Sequence, residues 1–190
     1  MSSLFLCLFT YAVLERLMEL YLSRRNRRLL HERGFEQRER SLSLSLMVLL
    51  HVSWLVVTPL ESLFDPAPLP VWLRLSAAVV FCLTQILRIW TLRTLGTYWN
   101  ISVMTNTSGA HGFVSDGPYR FIRHPNYLVV ILEIASLPLV GGAVASAVVF
   151  SLINATILAA RIRTEERHLF QLPGYAANMG SKPRFLPRRA

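Results

Sequence analysis

The chain has 190 residues, of which 53% are hydrophobic and 16% are charged, and its formal net charge is +9. A soluble domain carries about a quarter charged residues, so this composition favours an integral membrane protein. Nineteen of the twenty Lys and Arg residues are Arg, and they cluster between apolar segments. Because they form no basic face with interleaved aromatic residues, the pattern argues against nucleic-acid binding.

Apolar segments lie at about residues 4–22, 42–60, 70–92 and 127–160. Roughly 20 residues cross the hydrocarbon core of a bilayer, so the last segment is too long for one span. Pro138 followed by two glycines interrupts it near its middle and predicts two helices folded into a tight hairpin. The predicted fold class is therefore an all-α integral membrane protein with about five transmembrane helices.

The first segment is interpreted as a retained helix and not as a signal peptide. It lacks a basic start and a small-residue cleavage site, and it carries Glu15 and Glu19. Charges at membrane depth are costly, so we expect these carboxylates to pair with Arg16 or Arg88, whereas Glu133 has no evident partner. Cys7 and Cys82 lie within apolar segments, which predicts buried thiols and neither a disulfide nor a metal site.

Arginine placement predicts the orientation in the membrane. The loop between the first two spans is rich in arginine, whereas residues 61–70 contain no Lys or Arg. By the positive-inside rule the amino terminus lies outside and the carboxyl terminus is cytoplasmic. The arginines of the first loop are Arg24, Arg25, Arg27, Arg28, Arg33, Arg38 and Arg40.

Two parts of the predicted cytoplasmic side carry polar side chains suited to chemistry. One is residues 96–126, expected to form a short hairpin or loop at the membrane surface. The other is the end of the fifth helix with the tail after it. We therefore divide the chain into amino-terminal membrane helices, residues 1–95, and a core of loop, hairpin and tail, residues 96–190, that forms the site.

The stretch GPYRFIRHPNYL, residues 117–128, predicts a helix that begins at Pro125. Proline is favoured in the first turn of a helix, and it holds the preceding residue in an extended conformation. Arg123 and His124 then lie beside backbone N–H groups at the positive end of the helix dipole. This arrangement predicts a corner that binds anions, although arginines at a helix end also serve as plain membrane-interface anchors.

Paired carboxylates follow the last apolar helix, at Glu165 and Glu166. They can be solvated, they can pair with Arg161 one turn earlier, or they can hold a cation. Because the fourth and fifth helices form a hairpin, these carboxylates should lie beside the arginine corner. S-adenosylmethionine, with a carboxylate, cationic groups and ribose hydroxyls, complements both corners, whereas a phosphorylated nucleotide complements only the arginine corner.

The sequence resembles the isoprenylcysteine carboxyl methyltransferase family of integral membrane enzymes, which is related to the phospholipid N-methyltransferases. The motifs GAHGFVSDGPYRFIRHPNY, RTEERHL and PRFLPR carry the resemblance, which covers roughly residues 95–187. It implies a site for S-adenosylmethionine between the loop before the hairpin and the end of its second helix. One departure concerns the tail, where the family has two tyrosines three apart and this chain has Tyr175 and Asn178.

The resemblance also implies which residues form the site. Arg123, His124 and Glu165 are predicted to be catalytic, and no metal is expected. The residues predicted to bind the cofactor are His111, Val114, Gly117, Tyr119, His124, Pro125, Tyr127, Glu165 and Glu166.

The methyl acceptor is expected to be a lipophilic small molecule or a lipid-anchored, prenylated substrate that reaches the site from the bilayer. Methyl transfer from a sulfonium is an in-line displacement, so positioning the nucleophile supplies most of the rate. A carboxylate acceptor would be oriented by Arg123, whereas a phenol or enol would need His124 or His111 as a base.

Other functions share parts of this pattern. A phospholipid N-methyltransferase would use the same cofactor, and a sterol-type membrane reductase would use NADPH on a similar hairpin. A scaffold or a transporter is a further alternative, and the lack of internal repeats argues against the transporter.

Overall fold

The computed structural model describes residues 2–37, 42–100, 104–106 and 113–187. Six α-helices account for most of these residues, together with two three-residue strands and two short 3-10 helices at Gly96–Tyr98 and Gly117–Arg120. The α-helices are α1 (Ser3–Glu32), α2 (Leu42–Phe64), α3 (Val71–Leu95), α4 (Pro125–Gly141), α5 (Val144–Leu169) and α6 (Tyr175–Met179).

Three helices in the described part of the chain are long and apolar enough to cross a membrane. They cover Leu44–Phe64, Val71–Tyr98 and Val144–Leu169. Helix α1 is longer than any of them, at 30 residues, but Glu15, Arg16 and Glu19 interrupt its apolar sequence. Helix α4 is apolar but has 17 residues, about 25 Å at helical rise, which is less than the hydrocarbon thickness.

Helix α4 is enclosed by the other helices, so most of its side chains are buried within the protein. It packs most extensively against α3 and also contacts α5, α2 and α1. The apolar core around it includes Phe5, Trp54, Phe81, Ile134 and Leu137, each at most 1% exposed. A helix placed in this way does not have to match the bilayer thickness by itself.

The predicted hairpin is formed by α4 and α5, and it turns at Gly142. This glycine has a φ of 81°, in the left-handed region that side chains with a Cβ disfavour. The preceding Gly141 meets a different requirement, because a Cβ there would overlap Ser62 Oγ and lie 2.9 Å from the ring of Phe5. The two glycines therefore reverse the chain and let α4 approach α2 and α1.

The short hairpin or loop expected within residues 96–126 lies partly outside the described residues, and the strand that is described there pairs with a distant segment. Strand β1 (Phe35–Gln37) follows α1, and β2 (Met104–Asn106) follows α3. They pair in antiparallel orientation with Phe35 opposite Asn106. The chain between α3 and α4 is thus joined to the chain after α1.

The expectation of buried thiols is wrong, because Cys7 and Cys82 are both exposed on the outer surface of their helices. Many large apolar side chains are also exposed on the outer surfaces of the helices, including Leu49, Val56 and Leu152. In a membrane protein an apolar residue need not be buried by other residues, since the lipid itself is an apolar solvent.

Candidate functional site

The start of α4 and the end of α5 lie side by side, as the hairpin geometry predicts. His124 is the residue immediately before α4, and Pro125 is the first residue of the helix. Tyr127 in the first turn links the two helices, because its hydroxyl donates to Glu165 and accepts a hydrogen bond from Arg161 Nε at 2.9 Å. The corner with arginine and histidine therefore faces the corner with paired carboxylates.

Glu166 is buried and pairs with three basic side chains. Arg184 donates to both of its oxygens, from Nε at 3.1 Å and from Nη2 at 2.6 Å. His124 Nε2 lies 3.1 Å from Glu166 Oε1, and Arg123 Nη1 lies 3.3 Å from the same oxygen. A carboxylate so fully engaged positions its partners and has little capacity left for a ligand.

The bond to Glu166 determines which nitrogen of His124 can act as a base. A carboxylate oxygen only accepts hydrogen bonds, so Nε2 carries a proton. In the neutral ring Nδ1 is then the nitrogen with a lone pair. The His124 ring also stacks on Tyr127 with centroids 5.3 Å apart, which fixes its orientation.

The tail after α6 covers the residues before α4. The backbone N–H of Arg123 donates to Pro183 O at 2.9 Å, and that of His124 donates to Arg184 O at 3.0 Å. Lys182 Nζ donates to Tyr119 O at 2.9 Å. The tail therefore uses the backbone N–H groups of Arg123 and His124 themselves, whereas the predicted anion corner concerned the N–H groups at the start of α4 beside these two residues.

Helix α6 brings Tyr175 into the site. Its ring packs edge-on against Phe113 at 5.2 Å and against Phe170 at 5.3 Å between centroids. Burial, reinforced by the charge of Glu165, raises the pKa of Tyr175 to about 12. Burial also raises the pKa of Tyr119 above its usual range. Both phenols therefore remain protonated hydrogen-bond donors near neutral pH.

A cavity of about 630 Å³ opens between the helices and includes this site. Small-molecule sites in proteins commonly have volumes of 300–1,000 Å³. Apolar residues of α2 line one part of its wall, and Arg16, Glu19 and Arg88 also line it. One cavity therefore joins the polar site at the helix ends to a group of charged residues in α1 and α3.

The structure sorts the predicted site residues into three groups. Those that line the cavity are Val114, Tyr119, Arg123, His124, Tyr127 and Glu165. Gly117, Pro125 and Glu166 do not line it and support their neighbours. Gly117 has a φ of 55°, and a Cβ there would overlap the side chain of Thr94 in α3. His111 lies outside the described residues.

Asn126 and His51 are among the polar residues of the cavity that the sequence did not predict. Asn126 lines the cavity, and its buried Oδ1 has no hydrogen-bond partner among the described residues. Asn126 is part of the RHPNY motif, and its place in that motif could have identified it from the sequence. His51 of α2 also lines the cavity, and no sequence motif surrounds it. Asn178, at the position of the family's second tyrosine, folds back and donates to Gly174 O at 2.9 Å.

Five charged residues of α1, α3 and α4 form one largely buried cluster. Arg88 pairs with Glu19 and Glu133, and its Nε lies 3.3 Å from Glu15 Oε1. Arg16 pairs with Glu19 at 2.5 Å and also with Glu133. The structure thus supplies the pairing expected for the two carboxylates of α1, and it gives Glu133 two arginine partners.

Three known proteins are similar to this chain in sequence. The uncharacterized protein YpbQ of Bacillus subtilis is 32% identical over 167 residues, which are 87% of this chain and 96% of that protein. The protein-S-isoprenylcysteine O-methyltransferase of Schizosaccharomyces pombe is 30% identical over 99 residues, 52% of this chain and 42% of that protein. The cobalt-zinc-cadmium resistance protein CzcN of Cupriavidus metallidurans is 33% identical over 98 residues, 51% of this chain and 45% of that protein.

A family profile described as isoprenylcysteine carboxyl methyltransferase matches residues 77–171. This segment is half of the chain and contains much of α3, the residues before α4 and the whole α4–α5 hairpin with its paired glutamates. It therefore includes most of the side chains that build the polar end of the cavity. On this match the chain belongs to the isoprenylcysteine carboxyl methyltransferase family of membrane methyltransferases.

Proposed function

We propose that the protein uses S-adenosylmethionine to methylate a carboxylate or hydroxyl oxygen of a lipophilic acceptor. Family membership supports methyl transfer. The observation that carries the finer proposal is the cavity, which joins the polar site to apolar walls in helices long enough to span a membrane. A cavity of that kind accommodates a polar cofactor at one end and an apolar chain elsewhere.

The polar end of the cavity has the groups that the cofactor needs. The carboxylate of Glu165 accepts hydrogen bonds from ammonium or ribose hydroxyl groups, and it lines the cavity whereas Glu166 does not. Tyr119 and Tyr175 supply phenolic donors and aromatic surface. Asn126 Oδ1 is an acceptor for which the described residues provide no donor, and an amino group of the cofactor would satisfy it.

When bound, S-adenosylmethionine supplies a methyl group activated by its sulfonium. The protein's part is to place an acceptor oxygen in line with that methyl group and to keep water away. Arg123 lines the cavity and is held by Glu166 and by the ring of Phe170, 5.7 Å from its guanidinium carbon. It would orient a carboxylate acceptor, while His124 would take the proton of a hydroxyl acceptor at Nδ1.

We further propose that the acceptor enters the cavity sideways from the bilayer. Val48 and Val52 of α2 line the cavity and are nevertheless 50% and 54% exposed on the surface of the protein. Apolar residues with both properties mark a place where the cavity wall is thin and faces lipid. An apolar substrate would pass there without crossing water.

The proposal includes five membrane-spanning helices, α1 to α5, with the amino terminus outside and the site on the cytoplasmic side. The arginine distribution supports this orientation. We retain residues 96–190 as the catalytic core. The amino-terminal helices would complete the acceptor part of the cavity, since Arg16, Leu20 and Met47 line it.

Methyl-transfer assays with tritiated S-adenosylmethionine test the proposal. The protein in lipid nanodiscs is offered N-acetyl-S-farnesylcysteine, 4-decylphenol or phosphatidylethanolamine, each beside a short polar analogue such as N-acetylcysteine. We expect label in a base-labile ester or a stable ether of a long-chain acceptor, and little in the short analogues. Label in a methylamine, or equal rates for short and long acceptors, would contradict the proposal.

A further inference from the structure

The α2 wall of the cavity contains a polar side chain to which the proposed reaction gives no role. The described α2 residues that line the cavity are Met47, Val48, His51, Val52 and Leu55. His51 is the polar member of this set. Its side chain is neither fully buried nor exposed, and it lies one helical turn after Met47.

The hydrogen bond of His51 determines what its ring offers to the cavity. Nδ1 lies 2.8 Å from the carbonyl oxygen of Met47 in the same helix. A carbonyl oxygen only accepts, so Nδ1 carries a proton, and in the neutral ring Nε2 is then an acceptor. Because Nδ1 turns back to its own helix, Nε2 lies on the opposite edge of the ring. Within the described part of the chain Nε2 has no hydrogen-bond partner.

The charged side chains along the membrane part of the cavity are largely paired with one another, although the buried Nε atoms of Arg16 and Arg88 have no hydrogen-bond partner among the described residues. Arg88 is paired with Glu19 and Glu133, and Arg16 is paired with the same two carboxylates. The donors of these arginines are thus largely used inside the cluster, whereas His51 Nε2 is an unused acceptor. The complementary group on a ligand is a hydrogen-bond donor. A carboxylate would place its lone pairs against that of Nε2.

We propose that His51 determines acceptor specificity by accepting a hydrogen bond from a hydroxyl group on the lipophilic acceptor. This inference rests on the proposed function, because it assigns the apolar part of the cavity to that acceptor. It narrows the substrate class to lipophilic molecules that carry an O–H group. Apolar neighbours such as Val52 and Leu55 contact the hydrocarbon part.

A matched ligand pair tests the proposal by binding alone. The probes are 4-decylphenol and its methyl ether, which differ only in the O–H donor. Quenching of Trp99, a cavity residue, reports occupancy in nanodiscs, in a background where Trp54, Trp72 and Trp90 are replaced by Phe. We expect the wild type to bind the phenol about two- to tenfold more tightly than the ether, the range that corresponds to one net hydrogen bond. His51→Leu should bring this ratio close to one.

Two variants separate recognition from general damage to the cavity. His51→Gln retains an acceptor oxygen and should keep part of the phenol preference. Leu55→Ala removes apolar contact and should weaken both ligands alike, so that the ratio is unchanged. Equal binding of the two probes to the wild type, or a phenol preference that persists in His51→Leu, would overturn the proposal.

Titration with S-adenosylhomocysteine on the same samples separates this inference from the proposed function. His51→Leu should bind S-adenosylhomocysteine as the wild type does, because His51 belongs to the acceptor part of the cavity. If the wild type failed to bind S-adenosylhomocysteine, that result would contradict the proposed function. The ratio for the two probes would still decide whether His51 recognises a hydroxyl group.

Discussion

Two adjacent glutamates at the end of α5 have different surroundings. Glu165 lines the cavity and accepts a hydrogen bond from Tyr127. Glu166, one residue later, is turned toward Arg123, His124 and Arg184. Successive residues of a helix point about 100° apart, so neighbours in sequence can serve different purposes. One carboxylate is available to a ligand, and the other holds the tail and the basic residues in place.

We expect Glu165→Gln and Glu166→Gln to have separable effects. Glu165→Gln should weaken S-adenosylhomocysteine binding by about tenfold or more, because a hydrogen bond to a charged group is worth about 1.5–3 kcal/mol. Glu166→Gln should speed tryptic cleavage of the tail after α6, because Arg184 loses its ionic partner. Calorimetry and timed proteolysis provide the measurements, with Glu32→Gln at the exposed end of α1 as the control. Identical effects of the two substitutions would refute the separate roles assigned to Glu165 and Glu166.

The raised pKa of Tyr175 predicts a loss of stability at high pH. Its pKa is about 12 in the folded protein and near 10 when unfolded, so the unfolded state loses its proton first. The contribution of Tyr175 to stability is complete below pH 10 and declines as pH rises toward 12. We expect the drop in Tm across this window to be smaller in Tyr175→Phe than in the wild type. An identical drop in both proteins would show that Tyr175 does not titrate in this way.

At the level of elements, the α4–α5 hairpin and the tail bring the site together. Gly142 supplies the left-handed residue of the turn, and Gly141 permits close packing on Ser62 and Phe5. At the other end of the hairpin, backbone hydrogen bonds join residues 123 and 124 to Pro183 and Arg184. The site therefore depends on two contacts made far from each other along α4.

Gly141→Ala tests the close approach of α4 to α1 and α2. The added methyl group overlaps Ser62 and should lower the free energy of unfolding by about 1–3 kcal/mol, as overpacking does. Gly34→Ala is the matched control, because its φ is 78° but nothing lies within 4 Å of the added Cβ. It should cost about 1–2 kcal/mol from backbone strain alone. Ser62→Ala separates the two causes in thermal unfolding, because it should partly rescue Gly141→Ala and leave Gly34→Ala unchanged.

Across the whole molecule, the charged cluster connects α1 to α3 and α4. It contains two arginines and three glutamates, and Arg88 and Glu133 are both fully buried. Breaking a buried pair by removing one partner leaves an uncompensated charge. The cluster also borders the cavity through Arg16, Glu19 and Arg88, so it fixes the helices that form the cavity wall.

Arg88→Met should therefore destabilise the protein by about 3–5 kcal/mol. Adding Glu133→Gln should restore part of that loss, because one of the stranded carboxylates becomes neutral. Unfolding in mixed micelles measures both, and Arg93→Met, near the end of the same helix, controls for the loss of a basic residue from α3. If Arg88→Met unfolded like the Arg93→Met control, the cluster would not have the structural role assigned to it.

The sequence predicted the parts of the fold that follow from hydropathy and chain reversal. Apolar lengths located the long helices, and Pro138 with the following glycines located the turn, so the meeting of His124 with Glu166 followed from the topology. The pairing of Phe35–Gln37 with Met104–Asn106 did not, because three residues carry too little periodicity. The partners of Glu133 and the position of His51 depend on which helix faces meet, and a single sequence does not specify that.

Calorimetric titration of the wild type in nanodiscs with S-adenosylhomocysteine and with NADPH tests the central claim most directly. The claim is that the polar end of the cavity, with Tyr127 and Glu165, is a site for S-adenosylmethionine. We predict one S-adenosylhomocysteine site per chain, weakened in Glu165→Gln and unchanged in Glu32→Gln, and no binding of NADPH. Binding of NADPH, or of neither compound, would contradict the account.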